Sequence, residues 1–448
     1  MAKQTPQEKY HEMTTAPVER LIAKLAVPTI ISMLITTIYN MADTFFIGMI
    51  STAASGAVGV SFSVMAIIQA LGFFFGQGAG AGVSQALGSQ DTGRADSLAS
   101  TGFFSALLSG AAVGVLGLCF MEPLIYFLGA TETIYPYCVD YLRLILIGAP
   151  WMCASFVLNN LLRFEGSAVR AMIGLTTGGI LNIVLDPLFI FALDMGIAGA
   201  ALATILSQAI SFGILYYQIA RYSTVTLRPK HFRPTAAIYS AITRSGLPSL
   251  LRQSIASLGT ICLNTAAKPF GDASIAAMGI IGRISMFSNS AMLGFGQGFQ
   301  PVCGFNYGAR LYDRVKKGYF FLIKASVLGL LAVAAVEFCF AEEFVGIFRD
   351  DPAVIAIGAR ALRFLCLTLP LNSFIISSNM LLQTTGQVVP ASILGVARQV
   401  FLIPCLWIFT GLFELTGLQI AQPVADCITF LLAIPMAVSF LRKLGREQ

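Results

Sequence analysis

The segment 180-ILNIVLDPLFIF-191 places Asn182 and Asp186 four residues apart in a run, Ala171 to Leu193, that is otherwise almost wholly apolar. In a helix that spacing sets both side chains on one face. Tyr39 and Asp43 share the spacing within 39-YNMADTFFIG-48, with Asn40 one turn from Asp43. Thr204, in 196-GIAGAALAT-204, adds a hydroxyl. Two acids sharing a buried site can hold one proton between them. The same oxygens can ligate a small hard cation such as Na⁺. Residue type and spacing do not separate H⁺ from Na⁺. A purely structural reading stands beside this one: Asp186 as a helix-packing hydrogen bond, Asp43 at an interface, Thr204 bonded to its own helix. Ionisable residues inside a membrane are rare and functional by default, which favours the first reading. Pro187 is expected to disfavour helical geometry at residue 186 and to clash with the carbonyl of Ile183, freeing backbone oxygen beside the acid.

The elements that must carry these residues follow from composition. Of 448 residues, 56% are hydrophobic and only 11% charged, against about 25% charged in a soluble protein. The apolar residues form long runs, and a bilayer core needs about 20 of them per helix. About twelve such spans are expected, near 25–47, 54–82, 97–120, 140–161, 171–193, 197–219, 245–267, 273–303, 319–340, 359–382, 389–412 and 418–441. Backbone polar groups in lipid must be satisfied within the segment, so the fold class is an all-α polytopic membrane protein. The polar start, MAKQTPQEKYHEMTTAPVER, lacks the apolar core of a signal peptide.

Charge placement gives the orientation. The N-terminal tail carries Lys3, Lys9, Arg20 and Lys24. Every second loop is basic too, with Arg94, then Arg163 and Arg170, then Arg221 to Arg244, then Arg310, Arg314, Lys316 and Lys317. Arg442, Lys443 and Arg446 end the chain, while alternate loops carry Glu122 and Glu132, or Glu342 and Glu343. The positive-inside rule then puts both termini in the cytoplasm of a plasma (inner) membrane protein. The net charge of +6 is thus a topology signal and calls for no nucleic acid; the bilayer itself is the expected partner. Nine scattered cysteines without CxxC, and only two histidines, His11 and His231, argue against zinc or redox chemistry.

Shifted by 220 residues, the chain partly matches itself. Pro28 falls on Pro248, Gly76-Gln77-Gly78 on Gly296-Gln297-Gly298, Arg94 on Arg314, and Asn159 on Asn379. Each copy holds six spans, and an even number returns the chain to its starting side. Two parallel six-helix lobes related by a pseudo-two-fold axis along the membrane normal are expected, with substrate between them. The expected organisation is a cytoplasmic segment 1–24, a lobe 25–220, a linker 221–244, a lobe 245–441 and a tail 442–448. The repeat also separates scaffold from site. Asp43 corresponds to Leu263, Tyr39 to Gly259, and Asn182 and Asp186 fall near Leu402 and Leu406, so this acid pair is private to the first half.

Other positions are read more blandly. Asn159 recurs as Asn379, which favours packing over cavity lining. Pro28 is either a hinge or the cap of a lobe's first span, and Pro187 is a second candidate hinge. The runs 76-GQGAGAG-82 and 294-GFGQG-298 suit close helix packing better than a phosphate loop. Arg252 is expected to snorkel to the surface, whereas Arg283 and Arg398 read as deeper and cavity-lining; Asp426 has no assigned role. With no GxxxxGK[ST], ATP is not the expected drive, which leaves an ion gradient and no organic cofactor.

The proline-led first span ending in 39-YNMADTFFIG-48, the loops 88-GSQDTGRAD-96 and 308-GARLYDRVKKG-318, and 182-NIVLDP-187 followed by 196-GIAGAALAT-204 resemble the multidrug and toxic compound extrusion (MATE) transporters over essentially the whole chain. The resemblance implies an antiporter, not an enzyme, exporting amphipathic, often cationic small molecules in exchange for H⁺ or Na⁺. It also implies that Asp43, Asn182, Asp186, Thr204 and Tyr39 form the cation site of the branch that keeps this site in the N-terminal lobe, with bending near Pro28 coupled to release. Other branches place acids in span 7, which has none here. A monomer is expected. The competing readings are a flippase for lipid-linked glycans, which the membrane arginines favour, a membrane-embedded transferase, which lacks a DDxxD motif or catalytic histidine, and a passive channel, which leaves the one-sided acids unexplained.

Overall fold

The computed structural model describes residues 4–446, so the outermost residues of the expected segments 1–24 and 442–448 lie outside the described residues. The chain is helical throughout, with no strand among the described residues. A short amphipathic start, α1 (Pro6–Thr15), is closed by a capping box in which Thr5 and Glu8 satisfy each other's backbone N–H. The first half continues with α2 (Val18–Gly48), α3 (Thr52–Gly88), α4 (Thr92–Cys119), the short α5 (Met121–Phe127), α6 (Tyr135–Phe164), α7 (Ala168–Pro187) and α8 (Gly196–Tyr222). The second half holds α9 (Ala236–Ala267), α10 (Asp272–Gly308), α11 (Tyr312–Cys339), the short α12 (Ala341–Phe348), α13 (Pro352–Thr384) and α14 (Val388–Arg446).

Among the described residues, nine helices are long and apolar enough to cross a membrane. That is fewer than the sequence runs suggest, for two physical reasons. Helix α14 is one unbroken run of 59 residues only in its hydrogen bonding; Glu414, at φ 50° and ψ −128°, folds it back on itself. A side chain at Gly417 would lie 1.8 Å from the Phe409 carbonyl, which shows how tight that reversal is. Helices α9 and α10 are 32 and 37 residues long but carry more polar side chains, including Arg252 and Arg283. Helix α9 also starts at Ala236, inside the expected linker.

The 220-residue repeat is visible in the backbone. Gln90 and Arg310, equivalent positions after α3 and α10, both take left-handed φ, at 61° and 60°. Gly166 and Gly386 do the same at 80° and 74°. The contacts between halves are reciprocal as well. A Cβ on Gly88 would meet the Phe305 carbonyl at 2.2 Å, and one on Gly308 would meet the equivalent Gln85 carbonyl at 2.1 Å. Helix α2 likewise lies backbone to backbone on α10, where Gly294 and Gly298 face Ile30 and Ala26 at 2.5 Å. The glycine runs are therefore helix-packing surfaces within α3 and α10. Away from these contacts, Gly59, Gly279 and Gly282 have nothing within 4 Å of a built Cβ. One buried apolar cluster joins the first half to Phe299, Val302, Phe305, Tyr319 and Leu381, whereas a second is confined to residues 266–425. The halves are thus fused at one end and parted at the other.

Arg163 corrects the charge reading. It is not a loop charge: its side chain is 2% exposed. Its guanidinium donates to the Gln297 carbonyl at 3.1 Å, to Gln300 Oε1 at 2.7 Å and to Asn160 Oδ1, and lies 4.6 Å above the Phe164 ring. Gln300 in turn donates to Gln77 at 3.3 Å. A polar cross-tie between the halves therefore sits at the fused end. On its surface, α1 is pinned to both halves: Lys9 donates to the Gly166 carbonyl at 3.1 Å, and Asn306 to the Met13 carbonyl at 3.1 Å.

Gly298→Ala should destabilise the protein by about 1–3 kcal/mol through overpacking against α2. Gly59→Ala, where a Cβ meets nothing, should not lower the thermal midpoint. Thermal unfolding of the two purified variants in detergent tests the difference; equal midpoints would contradict the close packing described.

Candidate functional site

Helix α7 is built to approach its neighbours. A Cβ on Gly174 or Gly178 would press on Leu215 at 2.4 Å or Ser211 at 2.9 Å of α8, and one on Gly179 would meet Tyr39 of α2 at 3.0 Å. Ser211 fixes the α7–α8 contact by donating to the Gly174 carbonyl at 2.9 Å. One turn further along α7, this close approach delivers Asn182 and Asp186 against α2 and α8. Both are buried, at 3% and 0% exposure. Asn182 Nδ2 donates to Asp186 Oδ1 at 3.2 Å and lies 3.4 Å from Thr204 Oγ1 of α8. Asp43 of α2 lies close enough to Asp186 for the two carboxyl groups to interact electrostatically. Two acids this close in an apolar setting disfavour double ionisation, so one proton can serve both.

The cluster is incompletely satisfied. Asp43 Oδ1, Asn182 Oδ1 and Asp186 Oδ2 are buried without a hydrogen-bond partner. Three unpaired oxygens on three side chains are a costly arrangement in an apolar interior. A proton or a small hard cation is the kind of group that would satisfy them. No group of three or more His, Cys, Asp or Glu forms a metal cluster among the described residues, so any cation here would be held by mixed carboxylate, amide and hydroxyl oxygens.

Of the residues singled out from sequence, the structure brings together Asp43, Asn182, Asp186 and Thr204. Tyr39 packs on Gly179 and lies close enough to Asp43 to feel its charge. Asn40 is half-buried on the same helix, and its carbonyl accepts from Thr44 at 2.9 Å; it lies outside the bonded cluster. Asn159 donates to the Ala171 carbonyl at 3.1 Å, and Asn379 makes the same bond to Ala391 at 2.7 Å. Both therefore tie a helix to the start of the next, which is packing chemistry. Pro28 is buried within an α2 that stays helical, and Ser32 and Thr29 hydroxyls bond the carbonyls of Pro28 and Leu25. Pro187 acts differently from expectation. Residue 186 stays helical, and the irregularity follows the proline, as a π-helical turn over Leu188–Ala192. A ring without N–H at 187 perturbs the hydrogen bonding downstream and not the geometry at the acid.

In the second half, Arg398 lines a cavity and forms a two-pronged ion pair with buried Asp426, Nε to Oδ1 at 2.6 Å and Nη2 to Oδ2 at 3.4 Å. Arg252 lines the same cavity and does not snorkel away. Arg283 is exposed on α10, on the face of Gly279 and Gly282, and does not line that cavity. Two residues were not legible beforehand. Tyr141 of α6 is fully buried within electrostatic reach of both acids, its hydroxyl 3.5 Å from Met65 Sδ. Glu337 is a buried acid in the second half, held by the Ser288 hydroxyl at 2.7 Å and the Cys366 thiol at 3.8 Å. Its place near the end of a span concealed it, so buried acids are not confined to the first half.

Known proteins share both the sequence and the architecture. The MatE family model matches residues 28–188 and again residues 248–408, an offset of 220 residues in both bounds. The multidrug export protein MepA of Staphylococcus haemolyticus is 28% identical over 426 residues, covering 94% of this chain and 93% of that protein. A solved outward-facing conformation of a multidrug resistance MATE family transporter of the MOP superfamily superposes with a TM-score of 0.93 at 27% identity, over 100% of both chains. A MOP superfamily transporter from Pyrococcus furiosus, described as having a binding pocket of reverse polarity, superposes with a TM-score of 0.91 at 28% identity, covering 97% of this chain and 98% of that one. The chain belongs to the MatE family of membrane transporters.

Proposed function

We propose that this transporter exports amphipathic, predominantly cationic small molecules by antiport against H⁺ or Na⁺, and that Asp43, Asn182, Asp186 and Thr204, flanked by Tyr39 and Tyr141, bind the coupling ion. The observation that carries the reading is fully buried Asp186 beside half-buried Asp43, with carboxyl oxygens of both left unpartnered. A buried acid pair without a cationic side chain beside it is a site for an exchangeable positive charge. This is the N-terminal-lobe arrangement of the family. The similarity to the multidrug export protein MepA supports the substrate class.

The proposed architecture has twelve spans in two parallel six-helix lobes, counting α9, α10 and both arms of α14 with the nine helices above. The lobes are residues 25–220 and 245–441, the linker between them is 221–244, and both termini lie in the cytoplasm of the plasma membrane. The reciprocal Gly88 and Gly308 contacts support a pseudo-two-fold axis between α3 and α10. The basic segments lie at the fused end, which supports a state closed to the cytoplasm and open outward. Alternating access then requires the Arg163 cross-tie and the glycine contacts to part, with α2 bending near Pro28 and α7 adjusting at Pro187. Binding of substrate and ion to one lobe in alternation couples the two fluxes. The working unit is a monomer, and no organic cofactor takes part.

Efflux of a fluorescent organic cation from proteoliposomes, under a pH gradient and separately under a Na⁺ gradient, tests the coupling. At least one gradient should drive export, and Asp186→Asn should reduce it to the protein-free rate while leaving the protein folded and inserted. Wild-type rates in that variant would remove Asp186 from the site. Orientation is tested at Cys119 and Cys339, exposed and equivalent in the repeat. In single-cysteine variants, a membrane-impermeant maleimide should label both from outside intact cells. Labelling from opposite sides would contradict parallel repeats.

A further inference from the structure

The second half contains a cavity of about 260 Å³ whose chemistry is the reverse of the acid cluster. It is lined by Arg252, Gln253, Asn289, Asn372, Asn379 and Arg398 among others, contributed by α9, α10, α13 and α14. By the repeat it sits beside the place equivalent to the acid site and not on it, since Leu263, Leu402 and Leu406 do not line it. Arg252, Arg398 and Gln399 stand where the first half has Ser32, Gly178 and Gly179. The exchange of bulk is reciprocal: Tyr39 packs on Gly179 in the first half, whereas the Gln399 side chain fills the space over Gly259 in the second. The two halves therefore use one scaffold to hold opposite charges.

The charge balance identifies what the cavity takes. Arg398 is neutralised by its ion pair with Asp426. Among the described residues Arg252 has no acid partner and one hydrogen bond, a long one, 3.5 Å from Nη1 to Asn379 Oδ1, and Asn379 spends its amide on the Ala391 carbonyl. A guanidinium offers five N–H donors in a planar fork, so most of its donors remain for a ligand. An unneutralised guanidinium inside a membrane lobe is costly, and an oxyanion matches its geometry. The cavity is smaller than a whole drug site, which runs to roughly 300–1,000 Å³; its size suits one polar group of a larger molecule. It also abuts the seam between the halves, where Gln253 donates to Gln69 of α3 at 3.3 Å.

We infer that this cavity is a binding subsite for the oxyanion, a carboxylate or phosphate, of an amphiphile, with Arg252 as the specificity-determining residue. The inference rests on the export reading above and extends its substrates from cations to zwitterions. The test uses one xanthene dye in two forms, the zwitterionic free acid and its cationic methyl ester. Both are measured for export from phosphatidylcholine proteoliposomes. Arg252→Gln should raise the KM for the acid about tenfold, the loss of one charged hydrogen-bonded contact, and leave the KM for the ester as in wild type. Arg252→Lys should restore part of the difference. Equal changes for acid and ester, or no change for either, would overturn the inference; export of the ester also reports that the variant is folded.

A second arm separates the two sources of the oxyanion. If phosphatidylglycerol in the vesicles raises the wild-type KM for the acid and leaves that of Arg252→Gln unchanged, lipid phosphate reaches the same guanidinium. If it alters neither, the substrate carboxylate is the occupant. Asp186→Asn should stop export of both dyes. Export of both in that variant, with Arg252→Gln still separating acid from ester, would sink the coupling site and leave the oxyanion subsite standing.

Discussion

A carboxylate cannot sit unaccompanied in an apolar interior, and this constraint shapes the first half of the molecule. Asp186 is fully buried, so its charge must be met by something within the protein or by something that arrives. The glycines of α7 let α2 and α8 come close enough to bring Asp43, Asn182 and Thr204 to it. The facing acids create a demand for positive charge that neither Asn182 nor Thr204 can fill. That unmet demand makes the proposed exchange possible: an ion that satisfies the pair competes with whatever else can.

The same constraint operates with opposite sign in the second half. There Asp426 meets Arg398, Ser288 and Cys366 meet Glu337, and Arg252 is left over. Among these buried charges only Asp426 is met by an opposite charge; Glu337 is met by neutral donors and Arg252 by a single amide oxygen. The interface between the halves carries a further buried cation, Arg163, met by neutral oxygens. It is made of glycine-to-backbone contacts and that arginine, whose Nη groups donate to carbonyl and amide oxygens while Nε is left without a partner. Contacts of that kind are tight but not chemically irreversible, which is compatible with the proposed alternating access.

The spacing of Asn182 and Asp186, and their absence from the repeat, made the heart of the candidate site legible in the sequence. Helical periodicity puts such residues on one face whatever surrounds them. The long apolar runs and the 220-residue offset likewise exposed the helices and the repeat. Tyr141 was not legible, because an aromatic residue near a span end reads as lipid-facing until its neighbours are known. Arg163 was misread because it ends a span, where loop and buried positions look alike; only its partners on α10 distinguish them. The effect of Pro187 was misplaced because the local rule describes the residue before proline, whereas here packing held residue 186 helical and the strain moved downstream. Arg252 and Arg398 lie on separate helices, and no spacing rule predicts a cavity between them.

The central claim is that occupation of the Asp43–Asp186 pair by its small cation weakens binding of the exported substrate. The most direct test is the affinity of a fluorescent organic cation for the purified wild-type protein and for Asp43→Asn/Asp186→Asn, titrated with H⁺ and with Na⁺. The account predicts that one of these ions weakens wild-type binding and has no effect on the double variant. Wild-type affinity indifferent to both ions would contradict it.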